Sequence, residues 1–111
     1  MEEVPELTPL EVARRWPEGR DGAAVVLLDV REPDEVERAS IAGALHVPMG
    51  EVPARLSELP KDKPIVVFCH LGGRSRRVAQ FLAAHGFGRV FNLEGGIEAW
   101  SCTLDSSVPR Y

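Results

Sequence analysis

Cysteine is scarce in this chain, and its scarcity limits the class of protein. Only two cysteines occur in 111 residues, Cys69 and Cys102. A disulfide-rich secreted scaffold needs several pairs, so that class is excluded. The first seven residues are acidic and contain no apolar stretch of the kind found in signal peptides. We therefore expect a cytoplasmic protein whose thiols are reduced.

The chain also lacks long apolar runs and an excess of basic residues. No stretch is apolar over enough residues to span a bilayer. The formal net charge is -4, from 17 acidic and 13 basic residues, which disfavours binding to nucleic acid or to anionic membranes. Hydrophobic residues make up 44% of the chain and charged residues 27%, as in ordinary folded proteins. The length predicts a single domain over residues 1–111.

Strand-like and helix-like patterns alternate along the whole chain. The predicted strands cover residues 23–30, 45–47, 65–68 and 89–93. The predicted helices cover residues 9–16, 33–38, 51–59, 75–85 and 97–100, and a polar tail follows from residue 101. The first and third strands are apolar on both faces, which is typical of the central strands of a parallel sheet. The sequence therefore predicts an α/β fold with a mainly parallel central sheet and helices on both faces.

The segment after the third predicted strand carries the strongest chemical signal. Cys69 ends the strand, and the loop that leads into the next helix consists of His70, Leu71, Gly72, Gly73, Arg74 and Ser75. The two glycines allow positive φ, so the backbone N–H groups can turn inward and form an anion-binding nest around the sulfur. Such a nest at a helix N-terminus lowers the pKa of a thiol. We expect a nucleophilic thiolate at Cys69.

Three arginines lie at the end of the loop and the start of the helix, where acidic residues are usual. The first turn of a helix carries a partial positive charge, yet Arg74, Arg76 and Arg77 occupy it. Local rules of this kind are broken mainly at functional sites. The simplest compensation is an anion bound in front of the helix: the thiolate, an oxyanion substrate or both. Arg74 is the expected functional residue, whereas Arg76 and Arg77 either attract substrate or are solvated surface.

Three runs of residues resemble the motifs of one family. They are residues 29–32 (Asp-Val-Arg-Glu), residues 69–75 (Cys-x-x-Gly-x-Arg-Ser) and residues 92–100 (Asn-Leu-Glu-Gly-Gly-Ile-Glu-Ala-Trp). Their order is similar to that in the single-domain rhodaneses, which are thiosulfate sulfurtransferases, and the resemblance spans nearly the whole chain. One element departs from it: where many relatives have His-Ile-Pro-Gly-Ala, residues 40–44 read Ser-Ile-Ala-Gly-Ala.

The resemblance implies a rhodanese-like fold and a persulfide mechanism at Cys69. In the family, the loop cysteine attacks the outer sulfur of thiosulfate, sulfite departs, and a thiol, cyanide or protein acceptor removes the sulfur. The matching loop residues, His70 to Ser75, are the expected donor-binding residues. Asp29 supports the site, either directly or by satisfying backbone amides in the following turn. Neither a metal nor an organic cofactor is implied.

Two other functions stay open for the same residues. Phosphatases and arsenate reductases of related folds also use a loop cysteine and an arginine, but their loop is one residue longer. Only four residues separate Cys69 from Arg74, and the tighter loop suits a sulfur atom. The other alternative is a sulfur-relay or redox-sensing binding module. Cys102 is expected to be a filler residue rather than a resolving thiol, although a disulfide with Cys69 stays open.

Overall fold

A five-stranded sheet forms the centre of the structure, which is a computed structural model that describes residues 3–111. Its strands are β1 (Glu6–Leu7), β2 (Val26–Asp29), β3 (Leu45–His46), β4 (Ile65–Phe68) and β5 (Val90–Leu93). The strand order is β1-β5-β4-β2-β3, and every neighbouring pair is parallel. The parallel α/β fold predicted from the sequence is confirmed.

Helices cover both faces of this sheet. They are α1 (Pro9–Arg15), α2 (Pro33–Arg38), α3 (Gly73–Ala84) and α4 (Gly96–Thr103), with two short 3-10 helices at Met49–Glu51 and Pro53–Glu58. Successive side chains of a strand point to opposite faces of the sheet, so β2 and β4 contribute residues to two hydrophobic cores, one on each face. Leu28 and Val67 pack with Leu82 of α3 on one face. On the other face, Leu27 packs in a cluster that includes Trp100 of α4.

Two predicted elements are shorter or less regular in the structure. The strand predicted over residues 23–30 begins only at Val26. The N–H groups of Ala24 and Val25 donate to the carbonyl of Gly19 at 2.9 and 3.2 Å and close a turn instead of pairing with a strand. The helix predicted over residues 51–59 is also wrong, because two 3-10 helices stand there and Arg55 has non-helical dihedral angles.

Two further differences concern elements near the chain ends. Strand β1 has only two residues and was not predicted, because so short a segment shows no alternation. The last helix runs to Thr103 rather than ending at Trp100. The polar tail then folds back onto the domain, where the hydroxyl of Ser101 donates to the carbonyl of Val108. No helix within residues 3–111 is long and apolar enough to cross a membrane.

Asp29 and Cys69 lie at the same edge of the sheet. Asp29 is the last residue of β2 and is in register with Phe68, the last residue of β4. Cys69 follows directly. Ligands of open parallel sheets bind beyond the carboxyl ends of the strands, and this is the edge where the loop after β4 lies.

Candidate active site

The sulfur of Cys69 lies at the base of the loop between β4 and α3. It accepts hydrogen bonds from the N–H of Gly72 at 3.1 Å, the N–H of Ser75 at 3.4 Å and the hydroxyl of Ser75 at 3.4 Å. Burial alone would raise the pKa of this thiol, since the residue is only 2% exposed. The hydrogen bonds, including one from the N–H of Leu71, outweigh burial and place the pKa below its ordinary value.

Gly72 supplies the turn that brings these donors to the sulfur. Its φ of 114° is in the left-handed region, and it caps the N-terminus of α3. The positive φ expected for the glycine pair is therefore found at Gly72. Gly73 instead begins α3, so the helix starts earlier than the predicted residue 75. The early start places the N–H of Ser75, in the first turn of the helix, within hydrogen-bond distance of the thiol.

Backbone N–H groups at the start of α4 bind two carbonyl groups of the same loop. The N–H of Ile97 donates to the carbonyl of Cys69 at 2.9 Å, and the N–H of Glu98 donates to that of His70 at 3.2 Å. Gly96 permits this approach, because a Cβ there would lie 2.4 Å from the His70 carbonyl oxygen. With these carbonyls turned towards α4, the loop N–H groups face the sulfur.

A buried polar chain runs from the sulfur to β1. Oδ1 of Asn92 lies 2.5 Å from the hydroxyl of Ser75, so it shares the single Ser75 proton with the sulfur. The Asn92 amide group donates in turn to both carboxylate oxygens of Glu6 at 3.0 Å and to the carbonyl of Gly72 at 3.1 Å. These acceptors fix the amide orientation, so Oδ1 must face Ser75. The sequence signal for this role is that the chain's only asparagine lies inside an apolar strand.

Carboxylates of the same chain pair with two of the three arginines on α3. The Arg74 guanidinium binds both oxygens of Glu35 on α2, at 2.6 and 2.8 Å. Arg76 binds Glu6 of β1 at 2.9 Å. The anion expected in front of the helix stays a prediction, and these two arginines already have internal carboxylate partners. Arg77 is exposed and forms no ion pair within residues 3–111.

Asp29, the expected supporting residue, binds a buried arginine. Its carboxylate accepts the backbone N–H of Arg31 at 3.0 Å and binds the Arg31 guanidinium at 2.9 and 2.7 Å. Both side chains are almost fully buried. Arg31 also donates to the carbonyl of Ala39 at 2.7 Å and to the hydroxyl of Tyr111 at 3.0 Å. Asp29 therefore satisfies the amide of the following turn and orients Arg31.

The outer loop residues meet solvent and the tail. The ring of His70 stacks on that of Tyr111, with centroids 4.0 Å apart and an interplanar angle of 13°. Leu71 is 64% exposed at the tip of the loop. Beside it, the start of α3 borders an open groove of about 560 Å³ lined by Gly73, Arg74, Arg76, Arg77 and Gln80.

The second cysteine lies apart from these contacts. Cys102 is exposed on α4, with its sulfur 3.7 Å from Oε2 of Glu98. Both cysteines are free thiols, and no disulfide joins them. Within residues 3–111, no group of three or more His, Cys, Asp and Glu side chains is placed to hold a metal ion. No local pattern pointed to Glu35 or Tyr111, because their partners lie far away along the chain.

Comparison with models of protein families shows the family to which the chain belongs. Residues 14–102 match the family model described as the rhodanese-like domain. The chain belongs to the rhodanese-like domain family. The motif resemblance in the sequence is thereby confirmed.

Relatives of this rhodanese-like chain include sulfurtransferases. A sulfurtransferase of Allochromatium vinosum is 44% identical over 81 residues, 73% of this chain and 76% of that protein. Thiosulfate sulfurtransferase GlpE of Coxiella burnetii is 41% identical over 76 residues, 68% of this chain and 71% of that protein. The crystal structure of a rhodanese-like domain protein from Staphylococcus aureus is similar with a TM-score of 0.81 and 28% identity, covering 97% of this chain and 99% of that one.

Proposed function

We propose that this protein is a sulfurtransferase that carries a sulfane sulfur as a persulfide on Cys69. The observation that carries the proposal is the convergence of N–H and O–H donors from Gly72 and Ser75 on one sulfur. Donors in this arrangement stabilise a thiolate, and they can equally stabilise the negative charge of a persulfide. The membership in a family with sulfurtransferase relatives supports the same chemistry.

The first half-reaction loads the sulfur. The Cys69 thiolate attacks the outer sulfur of thiosulfate or a similar donor, and a new S–S bond forms. The bond between the two donor sulfurs breaks, its electron pair leaves with sulfite, and Cys69 retains a persulfide anion. Because Cys69 is only 2% exposed, a donor that presents its sulfur as a single terminal atom suits the loop.

The second half-reaction returns the enzyme to its starting state. A thiolate or cyanide attacks the outer sulfur of the Cys69 persulfide, and the S–S bond to Cys69 breaks. The transferred sulfur leaves as the acceptor's persulfide or as thiocyanate, and the Cys69 thiolate is restored. A covalent intermediate of this kind gives ping-pong kinetics. A protein thiol as acceptor would make the same residues a sulfur relay. Such chemistry suits the cytoplasm, where thiols stay reduced.

The geometry of the loop argues against phosphatase chemistry. Only four residues separate Cys69 from Arg74, and the N–H donors lie 3.1 and 3.4 Å from the sulfur itself. The loop is therefore arranged around a sulfur atom.

Intact-mass analysis after treatment with thiosulfate tests the proposal. We expect the protein to gain one sulfur atom and to lose it again when cyanide or dithiothreitol is added. The matched variants are Cys69→Ser, which should gain nothing, and Cys102→Ser, which should gain the sulfur as the parent does. A sulfur gain that survives in Cys69→Ser, or rapid phosphate-ester hydrolysis without any persulfide, would overturn the assignment.

A further inference from the structure

Arg74, the arginine at the end of the loop, already binds a carboxylate of the same chain. Glu35 binds both terminal nitrogens of Arg74, and its side chain is 17% exposed against 37% for Arg74. Two parallel N–H···O bonds are the arrangement with which arginine binds an oxyanion. A donor that uses Arg74 must therefore compete with an internal anion.

Two further residues hold that carboxylate in place. The hydroxyl of Tyr111 donates to Oε2 of Glu35 at 2.8 Å and accepts from Nη1 of Arg31 at 3.0 Å. Nη1 of Arg31 also donates to the backbone carbonyl of Glu35 at 3.3 Å. Arg31 is itself fixed by its buried pair with Asp29. Glu35 is thus tied to the sheet edge, to the tail and to α3.

The remaining charges around the loop do not replace Arg74. Arg76 is paired with Glu6. Arg77 has no such partner within residues 3–111, but it is exposed, so solvent screens its charge. The groups that stabilise the thiolate are the N–H groups of the loop and the hydroxyl of Ser75. These dipoles stabilise the single negative charge on the sulfur, but they provide no full positive charge to balance a second negative charge on the donor.

We propose that Glu35, held over Arg74 by Tyr111, is a specificity-determining residue that makes the enzyme favour singly charged or neutral sulfane-sulfur donors over dianions such as thiosulfate. The inference rests on the proposed persulfide function and adds the charge class of the preferred donor. Glu35 acts through Arg74 and is a positioning residue, since it does not contact the sulfur.

Two donors that differ by one charge test this inference. Methanethiosulfonate carries the same terminal sulfur as thiosulfate, but a methyl group replaces one charged oxygen. The Cys69 thiolate attacks that sulfur, the S–S bond breaks, and methanesulfinate leaves with the electron pair. The measured quantity is the ratio of kcat/KM for thiosulfate to kcat/KM for methanethiosulfonate, with cyanide as the acceptor.

The variant Glu35→Gln keeps the shape of the side chain and removes its charge. We expect the thiosulfate to methanethiosulfonate ratio to rise on the order of tenfold, because one unit of repulsion disappears near the donor. The control Glu37→Gln makes the same charge change on an exposed residue of α2, and we expect its ratio to match that of the parent. Tyr111→Phe loosens the carboxylate without a change of charge and should raise the ratio by a smaller factor.

A second pair of variants separates charge from structure. Arg74→Gln should lower the ratio, because it leaves the Glu35 carboxylate unbalanced. The double variant Glu35→Gln with Arg74→Gln should return the ratio to about the parent value, since both charges are gone. A loss of activity in Glu35→Gln that is equal for both donors, or no change in the ratio, would overturn the inference.

The same assay separates failure of the inference from failure of the function. If the parent protein takes up no sulfur from either donor, the proposed sulfurtransferase function is wrong. If the parent takes up sulfur from both donors and Glu35→Gln leaves the ratio unchanged, the function stands and the role of Glu35 is wrong.

Discussion

At the scale of single residues, the hydroxyl of Ser75 has one proton and two acceptors. Oδ1 of Asn92 lies 2.5 Å away, and the sulfur of Cys69 lies 3.4 Å away. A neutral thiol is a weak acceptor, so the Ser75 hydroxyl donates its hydrogen bond to the amide oxygen while Cys69 is protonated. A thiolate is a much stronger acceptor and competes for it. Ser75 therefore favours the ionised form of the sulfur.

The variant Ser75→Ala removes this donor while the N–H of residue 75 stays in place. We expect the pKa of Cys69 to rise, because a hydrogen bond to the charged form is lost. Persulfide formation at neutral pH should slow by roughly tenfold, the value of one hydrogen bond to a charged group. Single-turnover loading with thiosulfate across a pH series measures both effects.

Ser101→Ala is the matched control for that experiment. Its hydroxyl is also buried, but it donates to the Val108 carbonyl away from the loop. We expect its pH profile for sulfur loading to follow that of the parent. A profile of Ser75→Ala that coincides with the control would show that the hydroxyl has no part in the ionisation of Cys69.

At the scale of elements, the N-terminus of α4 orients the loop between β4 and α3. Gly96 has a φ of +60°, and an added Cβ would lie 2.4 Å from the carbonyl oxygen of His70. For Gly96→Ala we expect a loss of about 2 kcal/mol in the free energy of unfolding, from the strained dihedral angle and the displaced loop. Urea denaturation measures the loss.

Gly88→Ala is the control for the α4 variant. Gly88 has no left-handed φ, and a Cβ there would meet nothing within 4 Å. We expect Gly88→Ala to unfold at the same urea concentration as the parent or slightly above it. Equal stability of the two variants would contradict the packing role assigned to Gly96.

The contact between α2 and α3 gives a stability effect with a defined pH window. The hydrogen bonds from Arg74, opposed in part by burial, lower the pKa of Glu35 from 4.5 to about 2. A carboxyl group whose pKa is lower in the folded than in the unfolded protein stabilises the folded state at pH values above the unfolded-state pKa. For Glu35, this contribution to the free energy of unfolding is lost as the pH falls from 4.5 towards 2. Because Arg74 is partly exposed, we expect a contribution of roughly 2 kcal/mol rather than the full linkage value.

Denaturation of the parent and of Glu35→Gln at several pH values measures this contribution. We expect the parent to be the more stable protein near neutral pH, with a difference that shrinks as the pH falls through the window. A difference that is constant with pH would contradict the lowered pKa of Glu35.

Sequence patterns predicted those elements whose signals are local. The helix α1 has a capping box in which Thr8 and Glu11 bond each other's backbone, and its start at Pro9 matches the prediction. The strand β4 is a run of four apolar residues, and its bounds are as predicted. By contrast, β1 pairs with β5 at the other end of the chain, so no local signal marks it. The 3-10 helices depend on prolines and packing that periodicity does not report.

At the scale of the whole molecule, one buried arginine joins parts that are distant in sequence. Arg31 binds Asp29 at the sheet edge, the carbonyl of Ala39 after α2 and the hydroxyl of Tyr111 in the tail. The motif around Asp29 and the loop after Cys69 were both evident in the sequence. Their link through Glu35 and Tyr111 was not, because it depends on how the tail folds back across the sheet edge.

Asp29→Asn tests the importance of that buried arginine. The variant leaves the Arg31 charge buried without its anionic partner, and we expect a loss of about 3 kcal/mol in the free energy of unfolding. Glu58→Gln breaks an exposed pair with Arg55 and is the control, for which no measurable change is expected. If the two variants lose equally little stability, Arg31 does not join the parts of the fold.

The reactivity of Cys69 as a function of pH tests the central claim of a hydrogen-bonded thiolate most directly. The measurement is the rate of iodoacetamide alkylation of Cys69 in the Cys102→Ser variant, followed by intact mass across a pH series. We expect the rate to level off above an apparent pKa below about 8.5, the ordinary value for cysteine. A rate that still climbs above about pH 9 would show that the loop does not stabilise the thiolate.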